Sequence, residues 1–111
     1  MVVEYIRYNI PLDQAGQFEA AYAIAKPWLL ASPYCLGYEL SQCVEDPTQF
    51  VVRIEWSSTE DHLQGFRKSE YFPPFLAAIR PYIERIAEMR HYSPKASSNS
   101  GARSPVKAPE A

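Results

Sequence analysis

The sequence predicts an α+β domain, with strands and helices in the order βαββαβ, and three observations predict it. From Gln49 to Trp56, the apolar Phe50, Val52, Ile54 and Trp56 alternate with Val51, Arg53 and Glu55, the period of two that a half-buried strand requires. Phe18, Tyr22, Ala25 and Leu29, with Ala21 and Trp28 beside them, recur every three to four positions, as one face of an amphipathic helix does. Glu45-Asp46-Pro47-Thr48 is a short polar turn between two alternating stretches, which marks a hairpin.

The first strand reads from Val2 to Ile10, with Val2, Ile6, Tyr8 and Ile10 on one face and Arg7 and Asn9 on the other. Glu4 and Tyr5 are exceptions to that alternation. Pro11 ends the strand, and Asp13 is a plausible N-cap for the first helix, which runs to about Ala31. Pro27 removes a hydrogen bond inside this helix and predicts a kink that opens it away from the sheet near Trp28. Ser32-Pro33 breaks the helix. The second strand, Cys35 to Glu45, then sets Leu36, Tyr38, Leu40 and Val44 against Gly37, Glu39, Ser41 and Cys43. Behind the third strand, Ser57 and Ser58, each followed three residues later by Glu60 or Asp61, offer two registers of a capping box. The helix they start carries His62, Leu63 and Phe66, and Ser69 interrupts it. Pro73-Pro74 suits the first turn of its continuation, where Phe72, Phe75, Leu76, Ile79 and Ile83 keep helical spacing until Pro81. A last strand, about Arg85 to Tyr92, puts Ala87, Met89 and His91 on one face and Glu88 and Arg90 on the other. This order is the ferredoxin-like pattern, an antiparallel four-stranded sheet with both helices on one face.

At 111 residues the chain has the size of one domain. Residues 1–93 form the folded unit, and the Pro-, Ser- and Ala-rich residues 94–111 lack an apolar period and are expected to be a disordered tail. Three basic residues against one acidic residue give that tail a charge of +2 and leave the body at −4, which argues against a nucleic-acid surface. No run of apolar residues suits a membrane span or a leader segment, so a cytoplasmic protein without membrane partners is expected. Cys35 and Cys43, on one predicted strand, stand about 26 Å apart at extended-chain spacing, too far for a disulfide. Nucleotide-binding loops, nucleophile elbows and cysteine-based metal motifs are all missing from the sequence.

With the apolar faces turned to the helices, the other sheet face presents Arg7, Glu39, Arg53, Glu55, Glu88 and Arg90, joined by Val3, Tyr5, Val51 and Tyr92. It reads either as a solvated face of paired charges or as the face on which two copies form a homodimer.

Five stretches, taken together in order, resemble the antibiotic biosynthesis monooxygenase (ABM) domain family over residues 2–93. They are Cys35-Leu36-Gly37-Tyr38-Glu39-Leu40, Val44-Glu45-Asp46-Pro47, Glu55-Trp56-Ser57-Ser58 leading into His62, Gly65-Phe66-Arg67-Lys68-Ser69, and the closing His91-Tyr92. The resemblance implies a dimeric α/β barrel of two ferredoxin-like chains, with a pocket between sheet and helices in each. It also implies a monooxygenase that oxidises phenols, quinols or anthrones with O2 alone, without flavin, haem or metal. Haem-degrading members carry an Asn on the first strand, a Trp on the helix after the third strand and a haem-ligating His on the next helix. Here the corresponding positions hold Ile6 or Tyr5, Phe66 and Leu76, so haem degradation or haem binding stands as the least favoured alternative.

Within that frame His62 and His91 are the candidate catalytic acid/base residues, because imidazole titrates near neutrality. Each also has a plainer reading, His62 as an exposed residue near the helix cap and His91 as a hydrogen-bonded core histidine. Two histidines without a third clustered ligand make a weak metal signal, and no metal is expected. The aromatics Tyr22, Tyr38, Trp56, Phe66 and Phe72 are core residues that would together line a flat pocket for a small aromatic substrate, with a hydroxyl supplied by Tyr38 or Tyr22. Arg67 would orient a phenolate or carboxylate. The alternative from another class is a non-catalytic dimeric module that binds an aromatic ligand or a protein partner.

Overall fold

Burial follows parity along Gln49–Trp56 (β3): Phe50, Val52, Ile54 and Trp56 are buried, and the residues between them are only partly covered. The computed structural model of the chain describes residues 1–96, and the predicted tail lies, from residue 97 onward, outside the described residues. The other elements are β1 (Val2–Asn9), α1 (Ala15–Ala31), β2 (Cys35–Gln42), α2 (Phe72–Ile79) and β4 (Ile86–Tyr92). Short 3₁₀ turns at Leu12–Gln14, Phe66–Lys68 and Arg80–Arg85, and a π-helical turn at Asp61–Gly65, complete the path. The strands form one antiparallel sheet in the order β2-β3-β1-β4. This is the expected ferredoxin-like arrangement, with the two βαβ halves interleaved so that β1 and β3 are central.

Phe18, Tyr22, Ala25 and Leu29 of α1 and Phe75 and Ile79 of α2 pack on the sheet face made by Ile6, Tyr8, Phe50, Val52, Ile54 and Trp56. Each such large side chain contributes about 1.5–3 kcal/mol on leaving water, which explains why the helices lie where their stripes can be covered. Several local expectations are corrected. Asp13 falls inside the first 3₁₀ turn, and the residue preceding α1 is Gln14, which makes no side-chain cap bond. α1 carries Pro27 within it and runs to Ala31, the end that the sequence predicts. β2 stops at Gln42, before the Asp46 turn, where Thr48 donates its N–H (3.2 Å) and hydroxyl (2.6 Å) to Oδ1 and Gln49 donates to Oδ2 (2.9 Å).

Two β-bulges account for the remaining differences. In β2, Cys35 pairs with Trp56 and Gly37 with Glu55, so Leu36 is the extra residue and turns outward, 55% exposed, whereas Tyr38 and Leu40 stay partly buried. Val44, beyond the strand end, is 90% exposed. In β4, Ala87 is skipped where the register with β1 shifts between Arg7 and Tyr8, so it does not share the face of Met89 and His91. Five of the six charges on the outer face of the sheet are paired, Arg53 with Glu55 at 2.5 Å and Glu88 with both Arg90 (2.9 Å) and Arg7 (3.8 Å), and Glu39 makes no ion pair among the described residues.

Candidate active site

Glu4 is not an exception to the β1 alternation: it shares the parity of Ile6 and Tyr8, faces the helices and is 2% exposed. The antiparallel register places His91 of β4 directly opposite it. His62 comes from the other side of the layer, on the π-helical turn. That turn is tied to the end of β3 by the two serines: Ser58 Oγ accepts the Asp61 N–H at 2.9 Å, and the Ser57 hydroxyl donates to Asp61 Oδ2 at 2.6 Å. These serines hold the start of the turn, and the wider i→i+5 winding that follows is a local distortion frequent at functional sites.

These elements bring three polar side chains together under an aromatic roof. His62 Nδ1 and His91 Nε2 are 2.7 Å apart, a hydrogen bond whose donor depends on the tautomer. His62 Nε2 faces Glu4 Oε1 at 3.7 Å. Trp56 donates its indole N–H to the same Glu4 oxygen at 3.0 Å, and its ring stacks on the His62 imidazole at 4.2 Å with an interplanar angle of 8°. His62 is 3% exposed, which removes the reading of a solvent-facing cap residue.

Burial sets the electrostatics. Loss of water pushes the Glu4 carboxyl up, against the Trp56 hydrogen bond and the positive charge of Arg67, which pull it down. The same loss, then the charges of Arg67 and His91, push His62 down to about 3. Burial and Arg67 lower His91 as well. An ion pair between His62 and Glu4 would fit the 3.7 Å spacing, but desolvation outweighs that attraction and both imidazoles are neutral at pH 7. Neutral imidazoles carry free lone pairs, able to take a proton or to ligate a metal.

Beside the cluster lies a cavity of about 210 Å³. Glu4, His62 and Trp56 form its polar end, and Ile6, Tyr8, Ile54, Phe66, Phe72, Phe75, Leu76, Ile79 and Ile86 its apolar walls. Arg67, Ile83 and Met89 also line it and are exposed, so they mark its mouth. Of the residues singled out in the sequence, His62, Trp56, Phe66, Arg67 and Phe72 therefore line one space, and His91 stands one hydrogen bond behind His62. Tyr22 and Tyr38 do not line it, and that expectation is corrected. The Tyr22 hydroxyl is engaged by Tyr8 at 2.7 Å, its ring stacks on Tyr38 at 6.0 Å, and burial raises both phenols, Tyr38 to about 12. Tyr8, which was read only as a strand residue, is the tyrosine in the cavity wall. The missed residue at the polar end is Glu4, and its signal was parity: a carboxylate at an even position of a strand whose even positions are buried.

The profile of the antibiotic biosynthesis monooxygenase family matches residues 1–78. The chain belongs to the antibiotic biosynthesis monooxygenase family. ABM proteins of known structure share the fold. A candidate antibiotic biosynthesis monooxygenase from Bordetella bronchiseptica superposes with a TM-score of 0.70 at 23% identity, over 84% of this chain and 95% of that one. SnoaB of Streptomyces nogalater, a cofactor-independent oxygenase, superposes with a TM-score of 0.67 at 15% identity, over 86% and 94%. In sequence, the uncharacterised YczJ of Bacillus subtilis (strain 168) is 26% identical over 92 residues, 83% of this chain and 97% of that protein. Among the described residues, no helix is long and apolar enough to cross a membrane.

Proposed function

We propose that this chain is a cofactor-independent monooxygenase that oxidises a small, electron-rich aromatic compound, a phenol, quinol or anthrone-like substrate, with O2. The observation that carries the reading is the His62–His91 hydrogen bond of 2.7 Å at the polar end of an apolar, partly open cavity. With Nδ1–H donated to His91, His62 presents the lone pair of Nε2 to the cavity, and because burial holds its basicity low it takes the acidic proton of the substrate only as it releases Nδ1–H to His91. His91, only half-buried, passes a proton on toward solvent. Arg67 at the mouth stabilises the resulting anion, and the apolar walls keep water from it. The anion gives one electron to O2, the radical pair joins as a peroxide, and loss of water breaks the O–O bond. An activated CH2 carbon thus becomes C=O, with one oxygen atom in the product and the other in water, so the substrate supplies the electrons and no cofactor is needed.

The volume of about 210 Å³ is below the 300–1,000 Å³ usual for larger ligands, so within that set it favours phenols and quinols of about one or two rings over three-ring anthrones. The working unit in this reading is a cytoplasmic homodimer, in line with two free thiols and with an outer sheet face where Tyr5 and Tyr92 meet edge to face at 5.4 Å.

Oxygen uptake by metal-stripped protein over a panel of anthrones, quinols and phenols tests the proposal. A protein-dependent rate that falls about 10²–10⁴-fold in His62→Ala is expected. Saturable binding of the same compounds with no protein-dependent oxygen uptake would instead place the chain among non-catalytic aromatic-binding modules.

A further inference from the structure

The polar end of the cavity contains more ligand chemistry than a proton relay uses. Glu4, His62 and His91 each offer one donor atom, and these atoms all lie within 4.8 Å of one another. They come from three different elements, β1, the π-helical turn and β4, so the grouping is a product of the fold and not of a local charge run. Two of the donors are left over. Glu4 Oε1 takes the Trp56 indole N–H, but its other oxygen has no hydrogen bond among the described residues, and the carboxyl is 98% removed from solvent at an exposure of 2%. His62 Nε2, at 3.7 Å from Glu4, is likewise beyond hydrogen-bond distance. Buried polar atoms are nearly always satisfied by protein or by water, and a carboxylate oxygen and an imidazole nitrogen without protein partners at the end of a cavity are open to a ligand.

We infer that Glu4, His62 and His91 form a binding site for one first-row divalent transition-metal ion, in the range from Fe²⁺ to Zn²⁺. Two imidazole nitrogens and one carboxylate on one side of an ion suit that class, whereas Mg²⁺ and Ca²⁺ require shells of oxygen. Ligand bonds of about 2.1 Å place neighbouring donors about 3 Å apart and opposite ones about 4.2 Å apart. Because one imidazole gives an ion a single nitrogen, ligation through His62 Nε2 breaks the 2.7 Å bond of Nδ1 to His91, and the donors, spread over as much as 4.8 Å, close by up to about 1.5 Å as His62 slides and His91 turns toward Glu4. The Trp56 ring, stacked parallel on His62, permits such a slide in the imidazole plane and resists tilting. Trp56 also supplies the hydrogen bond that orients Glu4, the outer support that metal-ligating carboxylates commonly have. Because Glu4 and His62 line the cavity, the open coordination positions face the space where a small ligand sits.

Binding stands independently of the oxygenase reading. Where that reading holds, the ion occupies the lone pairs that the relay needs, so added metal inhibits the metal-free activity.

The test uses the full chain, stripped of metal and titrated separately with Co²⁺, followed by visible absorption, and with Zn²⁺, followed by calorimetry. One ion per chain is expected, with a Co²⁺ spectrum of nitrogen and oxygen ligation, and Mg²⁺ is expected to give no heat. His91→Gln, at a half-buried position, and Glu4→Gln, an isosteric change, are each expected to weaken binding by about 100-fold or more while circular dichroism stays native. Absence of Co²⁺ and Zn²⁺ binding overturns the site. Binding of unchanged strength in both variants overturns it as well, because the ion then sits elsewhere, for example on Cys35 or Cys43.

Discussion

Tyr8 and Tyr22 share one buried hydrogen bond of 2.7 Å, and it connects the cavity wall to the helix layer. Removing one hydroxyl leaves the other buried and unpaired. Tyr22→Phe is therefore expected to destabilise the fold by about 1–3 kcal/mol, and the double change Tyr8→Phe with Tyr22→Phe by less than the sum of the two single changes, as a denaturant double-mutant cycle can check. The same pair sets an alkaline limit. Tyr8 is pushed up to about 12 by burial, while an unfolded tyrosine ionises near 10. Between those values the folded state holds a proton that the unfolded state has released, so stability is complete below pH 10 and falls as pH rises toward 12. Thermal melts against pH are expected to show that loss, and the double Phe variant to lose much less. At this scale the sequence was only half legible. The fate of each tyrosine hydroxyl depends on a partner fourteen positions away in the chain, and spacing does not reveal it.

At the scale of elements, the π-helical turn is the piece on which the site depends. Gly65 closes it, and a Cβ there would come within 2.5 Å of the Tyr34 ring, closer than packed atoms allow. Gly65→Ala is expected to push Tyr34 and the turn apart, at about 1–3 kcal/mol of stability, and to weaken binding of an aromatic ligand in the cavity because His62 and Phe66 move with the turn. Melting temperature and ligand titration read the two effects. The serines that begin this turn were legible, since Ser58 caps in one of the two expected registers. Its π winding was not, because capping chemistry specifies where a helix starts and leaves its pitch to the packing of His62 and Phe66 beneath Trp56. The bulges at Leu36 and Ala87 escaped for a similar reason: alternation assumes that every residue of a strand is paired, and one unpaired residue inverts the side to which it points.

At the scale of the whole molecule, the sheet has one face covered by helices and one without a layer on it. The uncovered face pairs Arg53 with Glu55 and Glu88 with Arg7 and Arg90, leaves Glu39 outside those pairs, and exposes Tyr5 and Tyr92, on which two copies are expected to meet. Light scattering at micromolar concentration is expected to give a dimer for the native chain, and a monomer once Tyr5→Glu and Tyr92→Glu put like charges on that face. A native monomer would remove the dimer from the functional reading.

The sequence by itself determined the element order, the inward face of α1 and β3 and the family, because hydrophobic periodicity and turn chemistry are local properties that a chain displays before it folds. It also placed Trp56, Phe66, Arg67 and Phe72 around a common space. Only the tertiary structure decided that His62 and His91, 29 positions apart, share a hydrogen bond and that Glu4 joins them. That meeting follows from the register of β1 on β4 and the height of one π-helical turn, and a shift of one residue in either would send the three side chains to different faces.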